Sequence, residues 1–151
     1  MPETLASWHP FIVHFAVALT ITAALLDAAD FVLRARRFTQ TTFVLTVIAL
    51  PFLIAAVLTG NLTAAYVTTP EQLALLEQHE DYANIAVWVF SAAAVWRIFL
   101  QLKKQFDGTR AIIYVFIVML AAASVFLAAR KGGEIRAHGP RTVSASHPSL
   151  L

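Results

Sequence analysis

Cysteine is absent from this chain. With it go disulfides, thiolate zinc sites, iron–sulfur clusters and the C-x-x-C-H attachment of c-type haem. Any metal or haem must therefore be held by histidine, carboxylate or methionine, and there are only 2 methionines. Charge is scarce too: Asp, Glu, Lys and Arg make up 13% of the 151 residues, against about 25% in a typical soluble domain. The formal net charge is +2, and the basic residues sit in short clusters between apolar runs. That distribution speaks against a nucleic-acid groove and for membrane topology signals. Nothing in the chain resembles a substrate pocket with a catalytic acid or nucleophile, which points to a subunit rather than a stand-alone enzyme.

What the chain has instead is apolar sequence, 59% of the total. Four segments approach the roughly 20 residues that a helix needs to cross the hydrocarbon core: Pro10 to Leu33, Thr42 to Val67, Tyr82 to Leu102 and Ala111 to Ala129. The expected fold is an all-α bundle of four transmembrane helices over residues 1–139, followed by a loose polar tail at 140–151. Pro10 suits a first helical turn, and Trp8 suits the membrane interface. Pro51 predicts a tilt or kink in the second span, with Tyr66 near its far end. Arg97 lies close enough to the end of the third span to snorkel toward the headgroups. No internal repeat is evident.

Arg34, Arg36 and Arg37 follow the first span, and Arg97, Lys103, Lys104 and Arg110 bracket the third-to-fourth connection. The positive-inside rule makes those two connections cytoplasmic and puts both termini on the outer, periplasmic side. Arg130, Lys131, Arg136 and Arg141 in the tail run against that orientation. No basic region precedes the first span, so no cleaved signal peptide is expected.

The five histidines are the chemistry-bearing residues. His9 and His14 open the first span, His79 precedes the third, and His138 and His147 follow the fourth. Four of the five fall at the same end of the bundle. His14 lies between Val13 and Phe15 inside the apolar run and needs a hydrogen bond, a proton role or a metal. His9 reads equally as an interfacial residue or a ligand, and His79, among Glu77, Glu80 and Asp81, equally as a solvated loop residue or a ligand. Gly132, Gly133 and Gly139 around His138 could simply shape a turn. His147 belongs to the tail.

Ala56, Gly60 and Ala64 bare one face of the second helix, open to a neighbouring helix or to the flat face of a porphyrin. Thr59, Asn61 and Thr63 beside it can bond a cofactor edge or their own helix. Toward the other end, Asp30 and Arg34 stand at ion-pair spacing. Asp27 asks for a neighbour inside the bundle, a structural role, or a place in a proton path.

The segments "HPFIVHF" at 9–15, "TG" at 59–60, the histidine at 79 and "GGEIRAHG" at 132–139 resemble a bacterial membrane family, domain of unknown function 2231. Its pattern runs H-P-x-x-V-H-F-P, T-G, H, and G-G-x-x-V-x-x-H-G. The likeness spans His9 to Gly139 and departs at Ala16, where the family usually has proline, and at Arg136, where an aromatic is common. Neither position is a candidate ligand. Similar domains are joined to Rieske or c-type cytochrome modules, so the resemblance implies electron-transfer company and carries the family's histidines onto His9, His14, His79 and His138.

The resulting expectation is a b-type cytochrome-like electron-transfer subunit of the bacterial inner membrane. It holds one or two noncovalent haem b groups through His14, His79, His138 and His9, with Gly60 baring backbone for the porphyrin. Expected partners are the lipid bilayer, other subunits of a membrane redox complex or periplasmic electron carriers, and a quinone, with no nucleic acid. Two further readings stay open: a copper or zinc protein using the same histidines with Glu77, Glu80 or Asp81, and a structural or assembly subunit without cofactor.

Overall fold

The computed structural model of the protein describes residues 2–34, 36–65 and 67–137. They form α1 (Pro2–Leu33), α2 (Thr39–Ala64), α3 (Pro70–Leu102) and α4 (Gly108–Ala137), with no strand among the described residues. Each helix has a window apolar enough to cross a membrane, with mean hydropathy between 1.7 and 2.7. α1 packs most extensively on α2 and α3 on α4, and the α1–α4 and α2–α3 sides close the ring. α1 and α3 therefore face each other diagonally.

The helix ends depart from where hydropathy alone puts them, because local capping overrides composition. α3 begins at Pro70, well before Tyr82. Thr69 caps it by accepting a hydrogen bond from the Gln72 backbone N–H at 3.3 Å, Pro70 takes the first-turn position, and the T-P-E-Q spacing is that of a capping box. His79 is therefore a helical residue and not a loop residue. α4 runs through Gly132 and Gly133 to Ala137, so these glycines do not shape a turn. α2 continues through Pro51, which lies on its exposed side.

The Asp30 carboxylate accepts from the Phe38 backbone N–H at 2.9 and 3.0 Å and from the Thr39 hydroxyl at 3.1 Å. It thereby ties the end of α1 to the start of α2. This overturns the expected ion pair with Arg34: the amides opening α2 have no partner within their own helix and outcompete an exposed guanidinium.

A second finding corrects the expectation of no repeat. Burial along α1 from Ser7 recurs along α3 from Glu77 almost residue for residue. At one constant offset Ala16 matches Ala86, Thr20 matches Phe90, Ala24 matches Ala94 and Asp27 matches Arg97, all buried. The other two helices repeat as well, Thr42 with Tyr114 and Ala49 with Ala121. Both α1 and α3 end in a left-handed residue at the matching position, Arg34 with φ 50° and Lys104 with φ 54°. The bundle is two helical hairpins related by a pseudo-two-fold axis along its length.

The core between the hairpins is built largely from alanine, with Phe90 and Tyr114 as its bulky members. Small side chains let helices approach closely where hydrocarbon outside gives no hydrophobic drive. The large apolar residues face outward: Trp88 and Phe116 are each 74% exposed, as expected of side chains that meet lipid.

Arg97 does not snorkel. It is fully buried, its guanidinium carbon 3.1 Å from the Phe106 ring centroid and its Nη2 donating to the Thr39 carbonyl at 2.9 Å. Its symmetry mate Asp27 is buried nearby, with the Thr42 and Tyr114 hydroxyls beside its carboxyl. Two opposite charges at matching positions offset each other inside the bundle, which an outward turn of either side chain would undo. Arg97→Met should accordingly destabilise the bundle by about 3–5 kcal/mol, the cost of leaving one buried charge uncompensated. Adding Asp27→Asn should restore more than half of that loss in thermal denaturation of the detergent-solubilised protein.

Candidate cofactor site

At the N-terminal end of the bundle the same two-fold places His9 on α1 and His79 on α3. Each ring lies against the hairpin partner helix at a glycine. A Cβ added at Gly60 would stand 3.2 Å from His9 Cε1, and one at Gly132 would stand 3.3 Å from His79 Cε1. Both distances are tighter than ordinary packing, so glycine is what lets each ring seat there. The side of Gly60 left open by the small-residue stripe is thus taken by the His9 imidazole.

The hydrogen bonds fix which nitrogen of each ring carries the proton. His79 Nδ1 lies 2.7 Å from the Ala128 carbonyl, which can only accept, so Nδ1 donates. His9 Nδ1 lies 2.9 Å from Thr59 Oγ1. The Thr59 hydroxyl makes its shortest contact, 2.7 Å, with the Ala55 carbonyl; with its proton there, Nδ1 donates here too. Ala56, the symmetry mate of Ala128, also turns its carbonyl toward the His9 ring. With Nδ1 engaged, the neutral imidazole keeps its bare lone pair on Nε2. The two rings lie near enough to act on each other electrostatically.

His14 does not join this pair. It lies on the exposed side of α1, and its Nδ1 donates to the Pro10 carbonyl of its own helix, which again leaves Nε2 bare. Around it runs a ridge of aromatic rings: Phe11 and Phe15 have centroids 4.8 Å apart, and Phe15 stacks on Phe52 at 5.4 Å. His138 and His147 lie outside the described residues. Glu77, Glu80 and Asp81 are exposed, and no group of three or more His, Cys, Asp or Glu side chains converges among the described residues. Thr63 bonds the Gly60 carbonyl of its own helix at 2.8 Å, and Asn61 is exposed.

Ala128 and Gly132 are the participants that sequence reasoning did not assign to this site. The signal for them was the repeat, since Gly132 stands to His79 as Gly60 stands to His9.

Nitrogen-resolved histidine NMR of the solubilised protein at neutral pH should find His9 and His79 in the Nδ1–H tautomer. Thr59→Val should shift the His9 signals and leave those of His79 in place. It should also cost about 0.5–1.5 kcal/mol for the lost hydrogen bond.

A family model described as "Predicted membrane protein (DUF2231)" matches residues 6–143. No curated protein and no solved structure matches the chain.

Proposed function

The chain belongs to the DUF2231 family of predicted membrane proteins, and we propose that it is a b-type cytochrome-like electron-transfer subunit in which His9 and His79 would hold one haem. The observation that carries this reading is the pair of Nε2 lone pairs offered from diagonal helices, each ring held at Nδ1 by a protein acceptor. A histidine that ligates a metal almost always donates its other ring N–H in this way, which fixes tautomer and orientation and raises basicity. Haem bound there would supply a one-electron iron centre, and two neutral imidazoles suit a low-spin carrier.

Ligand number favours haem over copper or zinc. A zinc ion asks for three or four protein ligands, and no group of three or more His, Cys, Asp or Glu side chains lies together among the described residues. A porphyrin brings four nitrogens and needs only two more. Gly60 and Gly132 seat the rings back against α2 and α4, and the donor set fits the group. His14 and His138 are left for a second haem or for a neighbouring subunit, a periplasmic electron carrier or another part of a membrane redox complex. The Lys and Arg distribution supports a periplasmic position for the histidine end and location in the bacterial inner membrane.

The pyridine haemochrome assay and the absorption spectrum of purified protein test this. The expected result is a Soret band that shifts on dithionite reduction. His9→Ala and His79→Ala should each lose at least about nine-tenths of the haem attributed to this pair, while His14→Ala keeps it. Colourless protein containing stoichiometric copper or zinc would favour the non-haem metal reading. Colourless, metal-free protein that retains the fold would favour a structural or assembly subunit.

A further inference from the structure

The pseudo-two-fold also relates two outward faces of the bundle. On α1, His14, Ala18 and Thr22 are exposed, and at the offset of the repeat they match Asn84, Trp88 and Ala92 on α3, which are exposed as well. Four-residue spacing makes each set one stripe along its helix. α1 and α3 run in the same direction and stand diagonally across the bundle. Their stripes therefore point away from it on opposite sides, with matched residues at the same depth.

The two stripes differ in a way that makes them complementary. His14 spends Nδ1 on the Pro10 carbonyl of its own helix, so the neutral ring has an acceptor at Nε2 and no donor left. It lies about 9 Å along α1 from Trp8, inside the apolar run, where lipid tails supply no donor. Asn84 brings a carboxamide with two N–H donors to the same level. One turn further in, α1 shows the methyl group of Ala18 where α3 shows Trp88, which is 74% exposed. A turn beyond that, Thr22 and Ala92 are both small enough for helices to approach closely. Outward of Asn84, α3 carries Glu77, Glu80 and Asp81, all exposed, so a contact in hydrocarbon starts at Asn84 and runs inward.

We propose that copies of this chain associate head to tail in the membrane, the α1 stripe of one copy packing on the α3 stripe of the next. Asn84 donates to His14 Nε2 of its neighbour, and Trp88 covers Ala18. A two-fold contact of α1 with α1 would set two acceptors face to face, and one of α3 with α3 would set Trp88 against Trp88. The head-to-tail contact avoids both. Since the stripes lie on opposite sides of the bundle, each added copy leaves one of each kind open, and association continues beyond two. This assembly goes beyond the haem reading and does not require it, because His14 stands outside the His9–His79 pair.

The test is Förster transfer between donor- and acceptor-labelled full chain in phosphatidylcholine vesicles, as the protein-to-lipid ratio is raised. The chain has no cysteine of its own, so Ser149→Cys in the tail takes the label. Transfer should exceed the random-mixing level, and stepwise photobleaching should count assemblies of three or more. Ala18→Trp and Ala92→Trp, which each overfill one stripe, should each weaken self-association at least about tenfold. An equimolar mixture of the two should associate again and stop at two copies, because each variant retains the stripe that the other has lost. His14→Leu and Asn84→Leu should each weaken association about threefold, the worth of one hydrogen bond between membrane helices, and the double variant no more than either alone. Transfer at the random level would overturn the assignment. So would a dimer that either tryptophan variant leaves intact, a mixture of helical variants that fails to associate, or additive losses from His14→Leu and Asn84→Leu.

Discussion

Hydrocarbon offers no hydrogen bond, and the positions of the polar side chains in this bundle follow from that constraint. A polar group on a spanning helix must find its partner inside the protein or reach the headgroups. The protein uses the first solution for most of its buried polar residues, Thr20 being left without a hydrogen-bond partner for its hydroxyl. Asp30 is consumed in capping α2, Arg97 and Asp27 share one interior, and Thr46 meets Tyr114 at 3.3 Å. Between these groups and the histidine end lies an alanine-rich layer with Phe90, Leu53 and Val125. Thr20 and Ser124 are the buried polar residues of that layer.

The pseudo-two-fold gives the two ends of the bundle different characters. At one end the symmetry is kept in substance, with histidine opposite histidine and glycine under each. At the other it is kept only in position, with aspartate opposite arginine and threonine opposite tyrosine. Identical residues across an axis suit a ligand that is itself symmetric about its centre, such as a metal with two axial positions. Opposite charges across the same axis suit a structural pairing.

Much of the fold was legible from the sequence, because four apolar runs of spanning length admit few arrangements. The histidines, and Gly60 as a place of close backbone approach, were also legible, the former because imidazole has little business in hydrocarbon. What escaped was whatever depended on relations between distant residues. Arg97 reads as a snorkelling cation until the buried Asp27 and the Phe106 ring are seen to enclose it. His79 reads as a loop residue because Glu77, Glu80 and Asp81 surround it, although Thr69 and Pro70 already mark a helix start. The repeat is hidden because its matched positions carry different side chains: Thr20 and Phe90, or Asp27 and Arg97, share a burial class and nothing else. Spacing held the repeat, while residue identity concealed it.

Under the cytochrome reading, this duplication ties cofactor binding to assembly. Each hairpin supplies one imidazole and the glycine that seats it, so a single hairpin can place only half of an axial pair. Binding that requires both ligands then stabilises only the docked state of the two hairpins and adds its free energy to their packing. The alanine-rich interface alone gains little, because lipid competes on nearly equal terms for apolar surface. The docked bundle accordingly draws its specificity from the polar groups at its two ends: at one, the imidazoles in their glycine seats, and at the other, the buried Asp27 and Arg97.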